Sequence, residues 1–163
     1  SFTEENNKKL RYLKIEVSSD SAYDCTWIFN NDSTSHLFDN GWDGYKLMGV
    51  KSACIFSEED EVGSLQVNTM DVIDSVYLYF MAGENKTQYT LNIQAENILD
   101  QYDNLFLFDL KTGASVKIEK DQTSYVFSAE NITMPEKRFL LSGTKKDLTK
   151  IVPFNVSTNL GKV

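Results

Sequence analysis

The sequence predicts an all-β fold, a single β-sandwich of jelly-roll type with about eight or more antiparallel strands. Several short segments alternate between apolar and polar residues, which is the period of a strand with one buried face. Other short segments are continuously apolar and rich in Tyr and Phe, and turn-forming residues separate the segments. No longer stretch has the spacing of an amphipathic helix, and residues 95–103 can supply only one or two helical turns.

The strands of the first two thirds of the chain fall into two kinds. Residues 12–17, 64–68 and 88–95 alternate regularly, so each predicts a strand with one face in the core and one face in solvent. Residues 76–82 and 105–110 are continuously apolar. We expect these two segments to be central strands that are covered on both faces.

The last third of the chain continues the β pattern. LFLFDLKTGASVKI predicts a hairpin whose short turn is 111–113. Two further strands are predicted at 123–129 and 137–142. A last short strand at 150–156 contains Pro153, and a proline inside a strand places that strand at the edge of a sheet.

Composition limits the class of protein. A chain of 163 residues with 41% hydrophobic residues is long enough for one domain, so we expect residues 1–163 to form a single sandwich, with 143–163 as a C-terminal tail or edge strand. The net charge is -8 and no Lys/Arg cluster is dense enough to follow a phosphate backbone, which excludes nucleic acid as a partner. The longest apolar run is far shorter than the ~20 residues of a membrane helix, so no membrane insertion is expected.

The two cysteines, Cys25 and Cys54, both lie in strand-like segments. They have neither C-x-x-C spacing nor histidine companions, which argues against a metal or redox site. They are either buried thiols or the two halves of one disulfide. The single histidine, His36, lies in a Ser/Thr-rich loop and is interpreted as solvated.

Four short motifs follow one another in the chain. They are FDNGWDGYKL at 38–47, LFDLKTG at 107–113, YVF at 125–127 and the pair Arg138-Phe139. In this order they resemble a β-sandwich domain of large secreted and surface proteins of the Bacteroidetes. That domain often sits near the C-terminal sorting domain of type IX secretion.

The resemblance covers roughly residues 13–142 and implies an extracytoplasmic, non-catalytic module of a larger secreted or surface protein. Its partners would be neighbouring domains of that chain and a glycan or other cell-surface ligand. An extracytoplasmic location also permits a disulfide, and we predict that Cys25 and Cys54 lie on neighbouring strands near enough to bridge. Closing a loop of about 30 residues in this way would stabilise the fold by ~3.5 kcal/mol.

FDNGWDGYKL is the segment densest in residues that can do chemistry. Asp39 and Asp43 are carboxylates that can wrap a calcium ion, although the spacing does not fit an EF-hand. A calcium ion is therefore possible here, and no other cofactor is expected. The alternative is a structural clasp, in which Asp and Asn side chains hold consecutive turns before a strand that buries Tyr45.

Aromatic residues offer a flat apolar face to a sugar, and Trp42, Tyr45 and Tyr102 are the candidates for ligand binding. Trp27 is interpreted as a core or sheet-face residue. The sequence nominates no catalytic residue, so an enzyme is not expected. Two hypotheses follow: a binding or adhesion module that contacts glycans or surface components, and a structural spacer that binds no ligand.

Overall fold

The computed structural model describes residues 10–20, 22–31, 44–45, 53–59, 63–83, 88–130 and 134–147. These residues form eleven strands and one short 3-10 turn at Leu99–Gln101. The strands are β1 Tyr12–Ser18, β2 Tyr23–Asn30, β3 Gly44–Tyr45, β4 Cys54–Glu59, β5 Gly63–Met70, β6 Val76–Met81, β7 Gln88–Glu96, β8 Tyr102–Asp109, β9 Ser115–Lys117, β10 Thr123–Ser128 and β11 Glu136–Lys145.

The predicted all-β fold is confirmed. Each strand predicted within the described residues is present, and the turn at 111–113 joins β8 to β9. Strand β11 continues past residue 142 as far as Lys145. The strand predicted at 150–156 lies outside the described residues.

All eleven strands belong to one sheet in the order β10-β7-β1-β2-β5-β4-β6-β11-β8-β9, with β3 paired to β5 outside this path. Neighbouring strands are antiparallel with one exception, the parallel pair of β2 and β5. The sheet curls so that its two halves face each other. The predicted sandwich is therefore formed by a single bent sheet that comes near to closing on itself.

Aromatic rings from both halves fill the centre of the sandwich. The ring centroid of Phe80 on β6 lies 5.0 Å from those of Tyr89 on β7 and Phe127 on β10, with the rings edge to face. Phe127 also meets Phe139 of β11 at 5.0 Å. Because edge-to-face pairs are favourable beyond the area they bury, these contacts hold the two halves together.

The continuously apolar strands are not covered on both faces, so that prediction was wrong. In β6 burial alternates: Leu78 is fully buried, whereas Tyr77 is 40% exposed. In β8 the outward Phe106 and Phe108 are half-buried. The sequence lacks polar alternation here because the outer face is itself aromatic, with Phe106 and Phe108 6.1 Å apart.

Within the described residues, no helix has the length and hydropathy that crossing a bilayer requires.

Candidate functional site

A buried ion pair joins the end of β8 to the start of β11. Asp109 is the last residue of β8, and Arg138 lies where a register shift between Lys137 and Phe139 interrupts the pairing of β11 with β6. Because of that irregularity, Arg138 and Phe139 are both buried although they are adjacent in a strand. The guanidinium binds the carboxylate through two bonds, Nε to Oδ1 at 2.8 Å and Nη2 to Oδ2 at 3.0 Å.

Further groups complete this cluster. The hydroxyl of Tyr125 donates to Oδ2 of Asp109 at 2.6 Å, and Nη1 of Arg138 donates to the carbonyl of Ser128 at 2.8 Å. The amide of Lys111 in the hairpin turn donates to Oδ1 of Asp109 at 3.0 Å. We call Asp109, Tyr125 and Arg138 the clamp, since together they connect β8, β10 and β11.

The clamp is charged and closed to solvent. Asp109 is 2% exposed and Arg138 is 1% exposed. Burial alone would raise the pKa of Asp109, but hydrogen bonds from Arg138, Tyr125 and the Lys111 amide together lower that pKa to about 2. A carboxylate that stays ionised and out of reach of a substrate is suited to holding strands together and not to acid-base catalysis.

The clamp unites three of the four sequence motifs: 107–113 supplies Asp109, 125–127 supplies Tyr125, and the Arg-Phe pair supplies Arg138. Sequence reasoning missed this association. The available signal was a charged residue inside an apolar strand, as in LFLFDL and KRFLL, because a charge at an inward position needs a partner.

Tyr102, a predicted ligand residue, is a core residue in the structure and is 4% exposed. Its hydroxyl donates to Oδ1 of Asn30 at 2.9 Å and accepts from the amide of Ile73 at 2.8 Å. Both the ring and the hydroxyl are therefore used inside the fold, and the ring offers no face to a sugar. The prediction of ligand binding at Tyr102 is corrected accordingly.

The other predicted site residues are described little or not at all. Tyr45 belongs to β3, where its backbone pairs with Leu65 of β5, and its side chain lies outside what the structure describes. Trp42, Asp39 and Asp43 lie outside the described residues, so ligand binding and calcium binding there stay predictions. The described residues contain no group of three or more His, Cys, Asp or Glu suited to a metal ion.

Cys25 and Cys54 are both buried and are not joined by a disulfide in the structure. The expectation that they lie on neighbouring strands was wrong, because β5 lies between β2 and β4 in the sheet. The two strands nevertheless approach each other, since the amide of Ile55 donates to Oδ2 of Asp24 at 2.8 Å.

Aromatic side chains also occupy the outer faces of the sheet. Trp27 is half-buried on the outer face of β2, which is the sheet-face position that the sequence offered as one of two alternatives. Nζ of Lys14 lies 5.7 Å from the centroid of its ring. On the opposite half, Tyr77 and Tyr79 of β6 point outward beneath the ammonium group of Lys137. These outer faces, unlike the clamp, are accessible to a partner.

A depression of about 420 Å³ opens where β7 ends, lined by residues 95–100, Lys120 and Asp121. The charged residues at its rim are exposed, and its three buried or half-buried apolar members, Ala95, Ile98 and Leu99, belong to the edge of the core. It has no buried polar group directed into it among those residues.

The chain is 31% identical over 120 residues to the minor fimbrium subunit Mfa5 of Porphyromonas gingivalis. The aligned stretch covers 72% of this chain and 9% of the fimbrial protein, so the chain spans a small part of that relative. No protein-family model and no solved structure matches the chain.

Proposed function

We propose that the chain is a non-catalytic accessory module of a larger bacterial surface protein, and that it takes part in adhesion by contacting glycans or other surface components. The observation that carries this proposal is the similarity to a stretch of a minor fimbrium subunit. Because that stretch is only 9% of the relative, the module would act as one domain among several, with the neighbouring domains as its first partners.

The proposed location is outside the cytoplasm, either secreted or at the cell surface of a member of the Bacteroidetes. Two similarities support it: the order of the four motifs and the fimbrial relative. Export through type IX secretion rests on the motif resemblance alone.

The non-catalytic role is supported by the use that the fold makes of its polar side chains. The ionised pair of Asp109 and Arg138 is sealed by the turn and by Tyr125. The hydroxyl of Tyr102 is bonded to Asn30 and Ile73. Groups committed to internal bonds in this way are not available to a substrate.

The spacer hypothesis remains the second candidate, and the burial of Tyr102 favours it, since a spacer needs its aromatic residues inside. In that case the module only separates its neighbours and could be exchanged for any sandwich of similar span.

The two candidates separate in a replacement experiment on the parent protein. In one strain the segment is deleted, and in another it is replaced by an unrelated β-sandwich of the same end-to-end length. Adherence of the cells to glycan-coated surfaces is then measured, with surface display of the parent protein checked by antibody. The adhesion proposal expects loss of adherence in both strains, whereas full adherence of the replacement strain would overturn it and support the spacer.

A further inference from the structure

The outer face of β6 and β11 carries two tyrosines beneath one lysine. Tyr77 and Tyr79 occupy alternate positions of β6 and therefore point to the same side. Lys137 of β11 lies opposite Tyr79 in the register, and its Nζ is 4.4 Å from the ring centroid of Tyr77 and 5.9 Å from that of Tyr79. These distances are within the range of a cation–π contact.

The apolar surface continues from the tyrosines across the neighbouring strands. In the register, Leu140 of β11 lies between Tyr77 of β6 and Phe108 of β8, and all three point outward. On β9, the exposed Lys117 lies opposite Phe106. We call this surface the tyrosine–lysine face; it consists of Tyr77, Tyr79, Phe106, Phe108, Lys117, Lys137 and Leu140.

Both charged residues within this face are lysines. The net charge of the chain is -8, yet the face presents two lysines. None of the described carboxylates forms an ion pair with Lys137. Two acidic residues lie beside this face. Glu58 is exposed and lies two positions after Phe56 on β4, where Phe56 is stacked 5.4 Å from Tyr79. Asp74 accepts at 3.3 Å from the hydroxyl of Ser142, which lies opposite Phe106.

We propose that the tyrosine–lysine face binds a carboxylated polysaccharide, with a sugar ring stacked on Tyr77 and a carboxylate bound by Lys137. This inference rests on the proposed adhesion function and names its ligand class. A pyranose ring presents a flat apolar C–H surface that fits an aromatic ring, and an ammonium–carboxylate bond is charge-assisted. The ammonium group lies over the ring in the free protein, so a sugar that stacks on Tyr77 takes its place on the ring, and the flexible Lys137 side chain turns to bind the carboxylate of the same sugar unit.

A folded protein partner fits this face less well. The ammonium group of Lys137 lies over the two tyrosine rings, and lysine is depleted from the centres of protein interfaces. Covering the ammonium group with an apolar protein surface would remove its water without a compensating charge. A carboxylated polysaccharide supplies that charge when it displaces the water.

The test is a binding titration of the purified chain by isothermal calorimetry, with polygalacturonate, alginate and hyaluronate as probes. The methyl ester of polygalacturonate is the matched neutral control, because it keeps the sugar backbone and removes the charge. Binding to at least one of the three acidic chains is expected, together with weaker binding at higher salt. No binding to any of them, or equal binding to the methyl ester, would overturn the inference.

Variants locate the site. Lys137→Gln and Tyr77→Ala should each weaken binding by about tenfold or more, since each removes one of the two contacts. Glu58→Gln should strengthen binding because it removes a negative charge from the same side. Lys14→Gln, which changes the lysine over Trp27 on the other half of the sheet, should have no effect. Equal losses for Lys14→Gln and Lys137→Gln would show binding by general charge and would contradict the assigned site.

The failure of this inference can be told apart from the failure of the proposed function. If cells need the module for adherence but Lys137→Gln leaves their adherence unchanged, the function stands and the tyrosine–lysine face is not its site. If the replacement strain adheres fully, the adhesion function itself fails, whatever the polysaccharide titration gives.

Discussion

Asp109 is a charged residue among apolar neighbours in β8, and the stability of the fold depends on the bonds that it accepts. Its carboxylate accepts from Arg138, from Tyr125 and from the turn amide of Lys111. A buried charge is tolerated only when it is paired and fully hydrogen-bonded, so each of these donors is needed. The residue is a structural one, and its effect on the molecule should appear in stability.

The pKa of Asp109 gives a prediction for acid. Its folded value of about 2 is below the ordinary value of 3.8, so the stabilisation it provides is complete above the ordinary value and is lost as the pH falls through the folded one. The melting temperature of the wild type should therefore fall more steeply between about pH 4 and pH 2 than that of Asp109→Asn. Circular dichroism melts across this range measure the difference. Asp103→Asn, an exposed change on the same strand, should behave as the wild type does; equal slopes for Asp109→Asn and the wild type would contradict the assignment.

Gly143 gives a second prediction at this scale. A Cβ atom there would lie 2.5 Å from the carbonyl oxygen of Ile73 and 2.8 Å from Cδ1 of Leu105. Gly143→Ala should lower the free energy of unfolding by ~1–3 kcal/mol, since the backbone of Ile73 must move. Gly113→Ala is the comparison, because that site has open space and its cost of ~1–2 kcal/mol would come only from a positive φ of 80°. Urea unfolding with no loss for Gly143→Ala would show that the close approach is not rigid.

At the scale of the strands, the regular alternation of β1 and β7 was enough to predict them, because their inner side chains are apolar and their outer ones mostly polar. The same rule misjudged β6 and β8. A continuous apolar run results equally from a second covering layer and from an aromatic outer face, and local sequence does not distinguish the two. The 3-10 turn at Leu99–Gln101 agrees with the single short helical segment that the sequence allowed.

The sequence did not indicate which distant segments of the chain pair or come into contact. The parallel pairing of β2 and β5 depends on the path of the whole chain, and so does the meeting of Asp109 with Arg138, 29 residues later. Tyr102 was misplaced for a related reason. Its amphipathic ring suits both a sugar and a buried hydroxyl network, and only the positions of Asn30 and Ile73 decide between them.

The two faces of β6 can be tested with adjacent residues. Leu78 is fully buried and Tyr77 is 40% exposed. Leu78→Ala should cost ~2–5 kcal/mol through the cavity it leaves, whereas Tyr77→Ala should cost under ~1 kcal/mol. Chemical denaturation of both variants measures this. Similar losses for the two would mean that the outer face of β6 is covered in solution, which would also remove Tyr77 as a contact for a ligand.

At the scale of the whole molecule, the clamp closes the seam of the curled sheet. Strand β10 is one end of the strand order, and β8 and β11 lie near the other end. Tyr125 and Ser128 of β10 are bonded to Asp109 and Arg138, so the two ends are joined by side-chain bonds. An edge strand secured in this way is less available for pairing with other chains.

The motif residues of the clamp and the aromatic and lysine side chains of the outer face thus lie on opposite sides of the sheet. The motif residues of the clamp face inward and hold the seam, while the aromatic and lysine side chains of the outer face are exposed or half-buried. This division explains why the three motifs that form the clamp indicated the fold but no ligand. It also predicts that changes to the clamp act on stability and changes to the tyrosine–lysine face act on binding.

The most direct test of this account is a double-mutant cycle for the clamp, measured as free energies of unfolding in urea. Asp109→Asn and Arg138→Met should each cost ~3–5 kcal/mol, because each leaves one buried charge without its partner. The double variant should cost less than the sum of the two by ~0.5–3 kcal/mol, since it removes both charges together. Losses that simply add, or single variants within ~0.5 kcal/mol of the wild type, would contradict the claim that these residues act as one unit that closes the sheet.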